Sequence, residues 1–276
     1  MFNVRRDPIL DLPELRSFAA DLAAPQRMRA AWVLTRPFLC AAAFGFVARA
    51  QLWPLAPVVV FALFVSIVTS AHDVVHGSLG LSRRQTHWAL FALGALVLES
   101  GHAYRATHLR HHAVFPMEDD PEGEPAHHSA WRAVLAGPTF LLRLWWWAMK
   151  RAARRHDPVA EAWLLAEAAW AVGAVALALA LFSTSVWPAV YVAMVIGGSW
   201  VYPLLTSHLP HRHFGDTPLT QTHTLRGRII PALFLELTYH LEHHLYPAVP
   251  THRLPELSRR LTPYFDRAGV EPWRVP

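Results

Sequence analysis

Histidines in three tight groups are the residues of this sequence best suited to chemistry. The first group is HDVVH, and the two later groups, HLRHH and HLEHH, share one pattern. Successive residues of an α-helix lie about 100° apart, so spacings of three and four residues place the rings of each group on one helical face. Such a row of imidazoles is suited to binding a metal ion. The candidate ligands are His72, His76, His108, His111, His112, His240, His243 and His244.

Eight imidazoles exceed what one ion commonly takes, so the pattern predicts two metal ions. Imidazole binds iron, copper, zinc and nickel, and the ligand type alone does not choose among them. The zinc-protease motif HExxH is absent from the sequence. The Glu-x-x-His pair of soluble di-iron bundles occurs at Glu99/His102 and Glu124/His127, the second within a stretch that is unsuited to a helix. His87, His156 and His252 are expected to be solvated, and His102, His127, His128 and His223 are not expected to bind metal.

The composition indicates a membrane protein. Hydrophobic residues make up 53% of the chain and charged residues only 16%, whereas a typical soluble domain has roughly a quarter charged residues. A single cysteine excludes both an intrachain disulfide and a cysteine-based metal site. The net charge of +5 comes from arginines that flank apolar runs. This arrangement favours a membrane surface over nucleic acid as the partner.

Four apolar runs are long enough, or nearly so, to cross a bilayer, which takes roughly 20 residues. Short connectors join the first run to the second and the third to the fourth, which predicts two helical hairpins. The expected fold class is an all-α membrane protein with four transmembrane helices, additional interfacial helices and a cytosolic histidine-rich cap. The segment 131–149 is expected to be an interfacial helix, 88–98 an interfacial or buried helix, and 117–129 an exposed loop. The predicted spans are 31–50, 55–71, 162–182 and 186–206.

The distribution of charge predicts the orientation of these spans. The two short connectors have Arg49 as the only basic residue near them, whereas the remaining segments hold nearly all other arginines and all 18 histidines. By the positive-inside rule, the histidine-rich face and both termini are cytoplasmic. The expected division is a cytosolic amphipathic segment (1–30), a membrane domain (31–260) and a cytosolic tail (261–276).

The order HDxxH, HxxHH, HxxHH together with four spans resembles the integral-membrane fatty acid desaturase and hydroxylase superfamily, over about residues 50–260. HGS after the first box (His76, Gly77 and Ser78) and HLEHHLYPAVP are similar to bacterial acyl-lipid desaturases and carotenoid ketolases. The resemblance implies a cytosol-facing non-haem di-iron centre, O₂ as co-substrate, and electrons from a separate ferredoxin, rubredoxin or cytochrome.

The resemblance also implies a ninth ligand, since the family usually adds a histidine after the fourth span. Within LPHRH, His211 matches that position best, and His208 and His213 are the alternatives. Carboxylates on or near the ligand-bearing segments are expected to orient the rings from behind. No catalytic residue is expected apart from the metal ligands. The candidate orienting carboxylates are Asp73, Glu236 and Glu242.

Three functions are compatible with this pattern. The first is O₂-dependent desaturation of a fatty acyl chain on a lipid or acyl carrier, in a bacterial inner membrane. The second is ketolation or hydroxylation of a carotenoid ring on the same scaffold. The third is a non-enzymatic membrane protein that binds or transports metal, but such a protein needs ionisable residues along its spans. The second and fourth spans have none.

Overall fold

The computed structural model of the chain describes residues 12–276, so positions 1–11 of the expected N-terminal segment lie outside the described residues. Over the described range the regular secondary structure is helical apart from two two-residue strands, β1 (Leu225–Arg226) and β2 (Trp273–Arg274), which pair in parallel. The all-α fold class is therefore confirmed. The helices are α1 (Leu15–Phe18), α2 (Ala20–Ala23), α3 (Arg27–Arg49), α4 (Ala56–Val75), α5 (Arg83–Val97), α6 (Gly101–Val114), α7 (Ala130–Arg154), α8 (Pro158–Ala180), α9 (Trp187–Ser199), α10 (Leu209–His211), α11 (Ile229–Phe234), α12 (His240–Leu245) and α13 (Leu254–Ala268).

Four helical segments among the described residues are long and apolar enough to cross a membrane, which confirms the predicted number. The second segment continues beyond the predicted residue 71 and carries the first histidine box. It ends there because Gly77 adopts a left-handed φ of 70°, a conformation that glycine accepts without steric cost. The four segments are Arg27–Arg49, Trp53–Val75, Pro158–Ala180 and Trp187–His211.

The chain divides into two compact units. One comprises residues 26–209 and is called the membrane unit; the other comprises residues 210–276 with residues up to 25 and is called the C-terminal unit. In the membrane unit, α4 packs against α3, α5, α6 and α9. Its core is apolar, and fully buried members include Leu63, Leu90, Leu93 and Val195.

An arginine within the first span is held by hydrogen bonds to the second. Arg36 Nε donates to Ser66 Oγ at 2.9 Å, and the Arg36 guanidinium also contacts Thr69. In the same region the Ser70 hydroxyl donates to the Val33 carbonyl at 2.7 Å. Polar groups in a membrane span are costly unless they are paired, and these bonds between α3 and α4 provide that pairing.

The C-terminal unit packs short helices around α13. Its core contains Leu22 of α2, Leu241 of α12 and Leu257 of α13, each exposed by 2% or less. Arg260 on α13 donates to both carboxylate oxygens of Asp21, at 2.7 and 2.8 Å. Core packing and this bidentate ion pair together join the segment before residue 25 to the C-terminal helices.

The sequence predicts one helix running through IIPALFLELTYHLEHH, and this prediction is wrong. Helix α11 ends at Phe234, Leu235 has a positive φ of 51°, and a 3₁₀ turn occupies Leu235–Thr238. Tyr239 pairs with Thr224 in an isolated antiparallel bridge. A residue that is engaged in such a bridge cannot continue the helical hydrogen bonds, so the last histidine box begins a new helix, α12.

Leu63→Ala tests which helical faces pack inside the protein. Leu63 on α4 is fully buried, whereas Leu177 on α8 is 59% exposed. A buried leucine truncated to alanine costs about 2–5 kcal/mol because a cavity remains. In detergent, we expect Leu63→Ala to lower the thermal unfolding temperature by several degrees and Leu177→Ala to change it little. Equal losses in the two variants would contradict the packing described for α4.

Candidate metal centre

The first two histidine boxes form one cluster within the membrane unit. His72 and His76 lie at the end of α4, and His108 and His112 lie on α6, which packs against α4. Ring centroids are 4.9 Å apart for His72 and His76, 5.1 Å for His76 and His108, and 4.6 Å for His76 and His112. The ligand nitrogens of His72, His76 and His108 all lie within 4.8 Å of one another. Rings from two helices can therefore coordinate one ion.

A second cluster forms within the C-terminal unit. His240 Nε2 lies 3.0 Å from His211 Nε2 and 3.1 Å from His244 Nε2, so three ring nitrogens converge. These three nitrogens also lie within 4.8 Å of one another. The His243 ring is adjacent, with centroids 6.0 Å from His240 and 5.6 Å from His244. Each unit thus contains its own group of three converging imidazoles.

The structure places one of the three LPHRH histidines in a cluster. His211 is fully buried, and its Nδ1 lies 3.0 Å from the Gln221 carbonyl oxygen. A carbonyl oxygen can only accept a hydrogen bond, so Nδ1 of His211 carries the proton. The unprotonated Nε2 is the nitrogen that faces the cluster. His208 Nδ1 instead lies 3.0 Å from the Pro125 carbonyl oxygen, and His213 stacks on Trp273.

Two carboxylates that the sequence analysis did not identify contact box imidazoles. His111 Nδ1 lies 2.6 Å from Asp120 Oδ2, and His108 Nδ1 lies 3.1 Å from Glu122 Oε1. Asp120 and Glu122 are each only 3% exposed, so the expectation of an exposed loop over 117–129 is wrong for this part of the loop. Acidic residues closely following a histidine box are the signal that could have identified them.

Long-range hydrogen bonds hold this acidic loop in place. Tyr202 Oη donates to Glu122 Oε1 at 3.2 Å, and Ser207 Oγ donates to the Glu122 carbonyl at 2.5 Å. Both donors belong to the fourth span and the π-helical turn Pro203–His208 that continues it. The fourth span therefore fixes the carboxylate that contacts His108.

Burial keeps two imidazoles of the membrane-unit cluster, His76 and His108, neutral. It lowers the pKa of His76 to about 2, with the neighbouring His72 adding to the effect. Burial also lowers the pKa of His108 well below its ordinary value. The same desolvation raises the pKa of Glu122 to about 7. Neutral imidazole is the form that binds metal, so the site is electrostatically prepared for a cation.

The three carboxylates expected to orient the rings are placed differently from one another. Asp73 is 1% exposed, and its Oδ1 lies 3.9 Å from the Nδ1 of the preceding imidazole. Glu242 accepts hydrogen bonds from the hydroxyls of Thr224 and Ser258, each at 2.5 Å, and among the described residues it has no hydrogen bond or ion pair with a histidine. In the described part of the chain, Glu236 has no hydrogen bond or ion pair with a histidine.

Two histidines outside the boxes, His87 and His252, are half-buried, although the sequence analysis expected both to be solvated. His87 is half-buried, and its Nδ1 lies 2.8 Å from Nε2 of the buried His102. The expectation that His87 is solvated is therefore wrong. His127, His128 and His156 are exposed, as expected for residues that do not bind metal.

The imidazole nitrogens of the two clusters suit a divalent metal of intermediate softness. Each cluster offers three imidazole nitrogens, and a carboxylate or a carbonyl holds the other nitrogen of several rings. Partners of this kind fix the tautomer and orientation of a ligating histidine. The clusters can therefore hold metal ions, and imidazole donors suit iron, copper and zinc alike.

Four helices long and apolar enough to cross a membrane and two histidine clusters fit a membrane enzyme of oxidative, desaturase or oxygenase type, and comparison with known proteins points to that class. Residues 48–276 match the fatty acid desaturase family, and the chain belongs to that family. It is also 28% identical over 272 residues to a beta-carotene ketolase of Paracoccus sp. (strain N81106 / MBIC 01143). That similarity covers 88% of this chain and 94% of the ketolase.

Asp120→Asn tests whether the buried carboxylate supports metal binding. The asparagine keeps the shape but loses the charge next to the His111 Nδ1, and loss of such a partner typically lowers metal affinity by about 10- to 100-fold. Asp119→Asn is the matched control, because the Asp119 side chain is 63% exposed and pairs with Arg110. Anaerobic titration of the metal-free protein with iron(II) against a chromogenic chelator measures both affinities. Unchanged affinity in Asp120→Asn would refute the role of this carboxylate.

Proposed function

We propose that the two clusters hold two iron ions and that the enzyme uses O₂ to oxidise an unactivated C–H bond of a long apolar lipid. The observation that supports this proposal is the pair of three-imidazole clusters, one in each unit. The iron itself comes from the family to which the chain belongs. When bound, the iron pair would supply O₂ activation. The proposed ligands are His72, His76, His108, His111, His112, His211, His240, His243 and His244.

Carboxylates next to two of the ligands would hold the imidazoles in the tautomer that binds metal. Glu122, when ionised, accepts a hydrogen bond from the Nδ1–H of His108, so that Nε2 of His108 carries the lone pair for the metal. Asp120 does the same for His111. In this proposal the residues 31–260 are the catalytic membrane domain and 261–276 a cytosolic tail.

The substrate class follows from the position of the first box. His72 lies within the last turn of a membrane-crossing helix, and His76 caps it, so an apolar substrate would reach the metal from the bilayer. The similarity to a beta-carotene ketolase along nearly the whole chain favours a carotenoid ring as substrate. The match to the fatty acid desaturase family supports a fatty acyl chain on a lipid or carrier as the second candidate.

The electrons would come from another protein. Forming one double bond consumes one O₂, two electrons and two protons, and releases two waters. Converting a methylene to a ketone consumes two O₂, four electrons and four protons, and releases three waters. The sequence has one cysteine, Cys40, which cannot hold an iron–sulfur cluster. A separate ferredoxin, rubredoxin or cytochrome is the proposed donor.

Cysteine labelling tests the proposed orientation, in which the histidine-rich face and both termini lie on the cytoplasmic side of a bacterial inner membrane. Ser183 lies in the short connector after α8 and Asp266 near the end of α13, and both are exposed. In a Cys40→Ser background, we expect a membrane-impermeant maleimide to label Ser183→Cys in spheroplasts and Asp266→Cys only after lysis. The reverse pattern would show that the histidines face outward.

Lipid profiling of expressing cells tests the reaction and its substrate. We expect the wild-type protein, in a carotenoid-producing host that contains a suitable electron donor, to form oxidised carotenoids. His108→Ala should abolish the product because a ligand is lost, and His128→Ala, at an exposed site, should not. New acyl double bonds with unchanged carotenoids would instead identify the acyl substrate. Unchanged carotenoids and acyl chains would favour the non-enzymatic metal-binding or transport alternative.

A further inference from the structure

A buried glutamate lies inside the third membrane-crossing helix. Glu167 is the tenth residue of α8, about 14 Å along its axis from Pro158, and it is 4% exposed. An ionisable group at such a position is costly unless the surrounding protein satisfies it, and such groups usually have a function. The reaction proposed above does not use this residue.

The partners of Glu167 lie at the start of another helix, α6. Ser100 Oγ donates to Glu167 Oε2 at 2.5 Å, and the backbone N–H of His102 lies 3.4 Å from both carboxylate oxygens. His102 Nδ1 lies 2.8 Å from Glu167 Oε1. The first turn of a helix has unsatisfied N–H groups and a partial positive charge, so a carboxylate is stabilised there.

A third helix, α5, joins the same network through His87. His102 Nε2 lies 2.8 Å from His87 Nδ1, and both rings lie parallel to Trp163, which is one turn before Glu167 on α8. Because the carboxylate accepts a hydrogen bond from the Nδ1–H of His102, the Nε2 of His102 carries no proton. This Nε2 therefore accepts a hydrogen bond from the Nδ1–H of His87. One chain of hydrogen bonds therefore connects α8, α6 and α5.

The start of α6 is also packed too closely to move freely. A Cβ atom at Gly101 would collide with the Leu90 carbonyl of α5, and one at Gly94 of α5 would collide with the Glu99 carbonyl. Backbone atoms approach each other directly at these two glycines. Hydrogen bonds and backbone contact together determine both the axial position and the rotation of α6.

Helix α6 carries the second histidine box. His108 follows His102 by six residues, or about 9 Å along the axis, and joins His72 and His76 in the membrane-unit cluster. A change at the first turn is transmitted along a continuous helix to the rings. We propose that Glu167 is a positioning residue, which acts through Ser100 and His102 to set His108 for metal binding. This inference depends on the proposed metal site.

Cobalt(II) titration of the full-length protein in detergent, followed by its visible absorption, tests this proposal without any turnover. We expect the metal-free wild-type protein to bind two Co²⁺ ions. In Glu167→Gln, one of the two ions should bind about 10- to 100-fold more weakly, the range found when outer partners of metal ligands are lost. The second ion should bind as in the wild type.

Glu99→Gln is the matched control. Glu99 is a partly buried acid one residue before Ser100, and desolvation raises its pKa to about 8. It is therefore mostly protonated at neutral pH, and glutamine reproduces that neutral form. We expect both Co²⁺ ions to bind Glu99→Gln with wild-type affinity.

Each outcome has a distinct meaning. Wild-type affinity for both ions in Glu167→Gln would overturn the positioning role, even if its unfolding temperature fell. Failure of the wild-type protein to bind Co²⁺ would instead overturn the proposed metal site. If Glu167→Gln does not fold, Glu167→Asp moves the carboxylate back by about 1.5 Å, one carbon–carbon bond, and a smaller loss is expected. Wild-type affinity in that variant would likewise refute the proposal.

Discussion

The structure depends on holding many histidine rings close together, with His76 and His108 kept uncharged by burial. A protonated His76 ring would lose its hydration and would also be repelled by His72, which is why the pKa of His76 falls to about 2. A neutral ring has one nitrogen with a proton and one without, so the proton must lie on the side away from the cluster. Glu122 behind His108 and the Gln221 carbonyl behind His211 determine that side.

The surroundings of each box account for the one letter that differs between HLRHH and HLEHH. The middle residue of each box lies off the face that carries the ligands, so its surroundings decide its type. Arg110 is partly exposed and pairs with Asp119 of the acidic loop. Glu242 is 1% exposed and accepts hydrogen bonds from Thr224 and Ser258 in the core of its unit. Each middle residue ties its box to its own unit.

Local patterns in the sequence predicted what depends on local physics. Hydropathy identified the four spans, and the spacing of three and four residues identified the imidazoles that share a helical face, because both signals arise within one helix. The family resemblance favoured His211 over its two neighbours, and the structure places it beside His240 and His244. These features required no knowledge of distant contacts.

Features that depend on distant contacts were not predictable in this way. The acidic stretch after the second box has a loop composition, yet hydrogen bonds from Tyr202 and Ser207 bury Glu122. The helix before the last box has a suitable apolar sequence, yet the bridge between Tyr239 and Thr224 interrupts it. In each case the deciding partner is remote in the chain or belongs to a different element, so composition alone was misleading.

The most direct test of the central claim is the metal content of the protein, measured together with its Mössbauer spectrum. The full chain would be purified from cells grown on ⁵⁷Fe. Two proposed metal-binding clusters predict two iron ions per chain, both high-spin with nitrogen-rich ligation. An oxidising, fully active preparation with one iron per chain, or with zinc or copper in its place, would contradict the account.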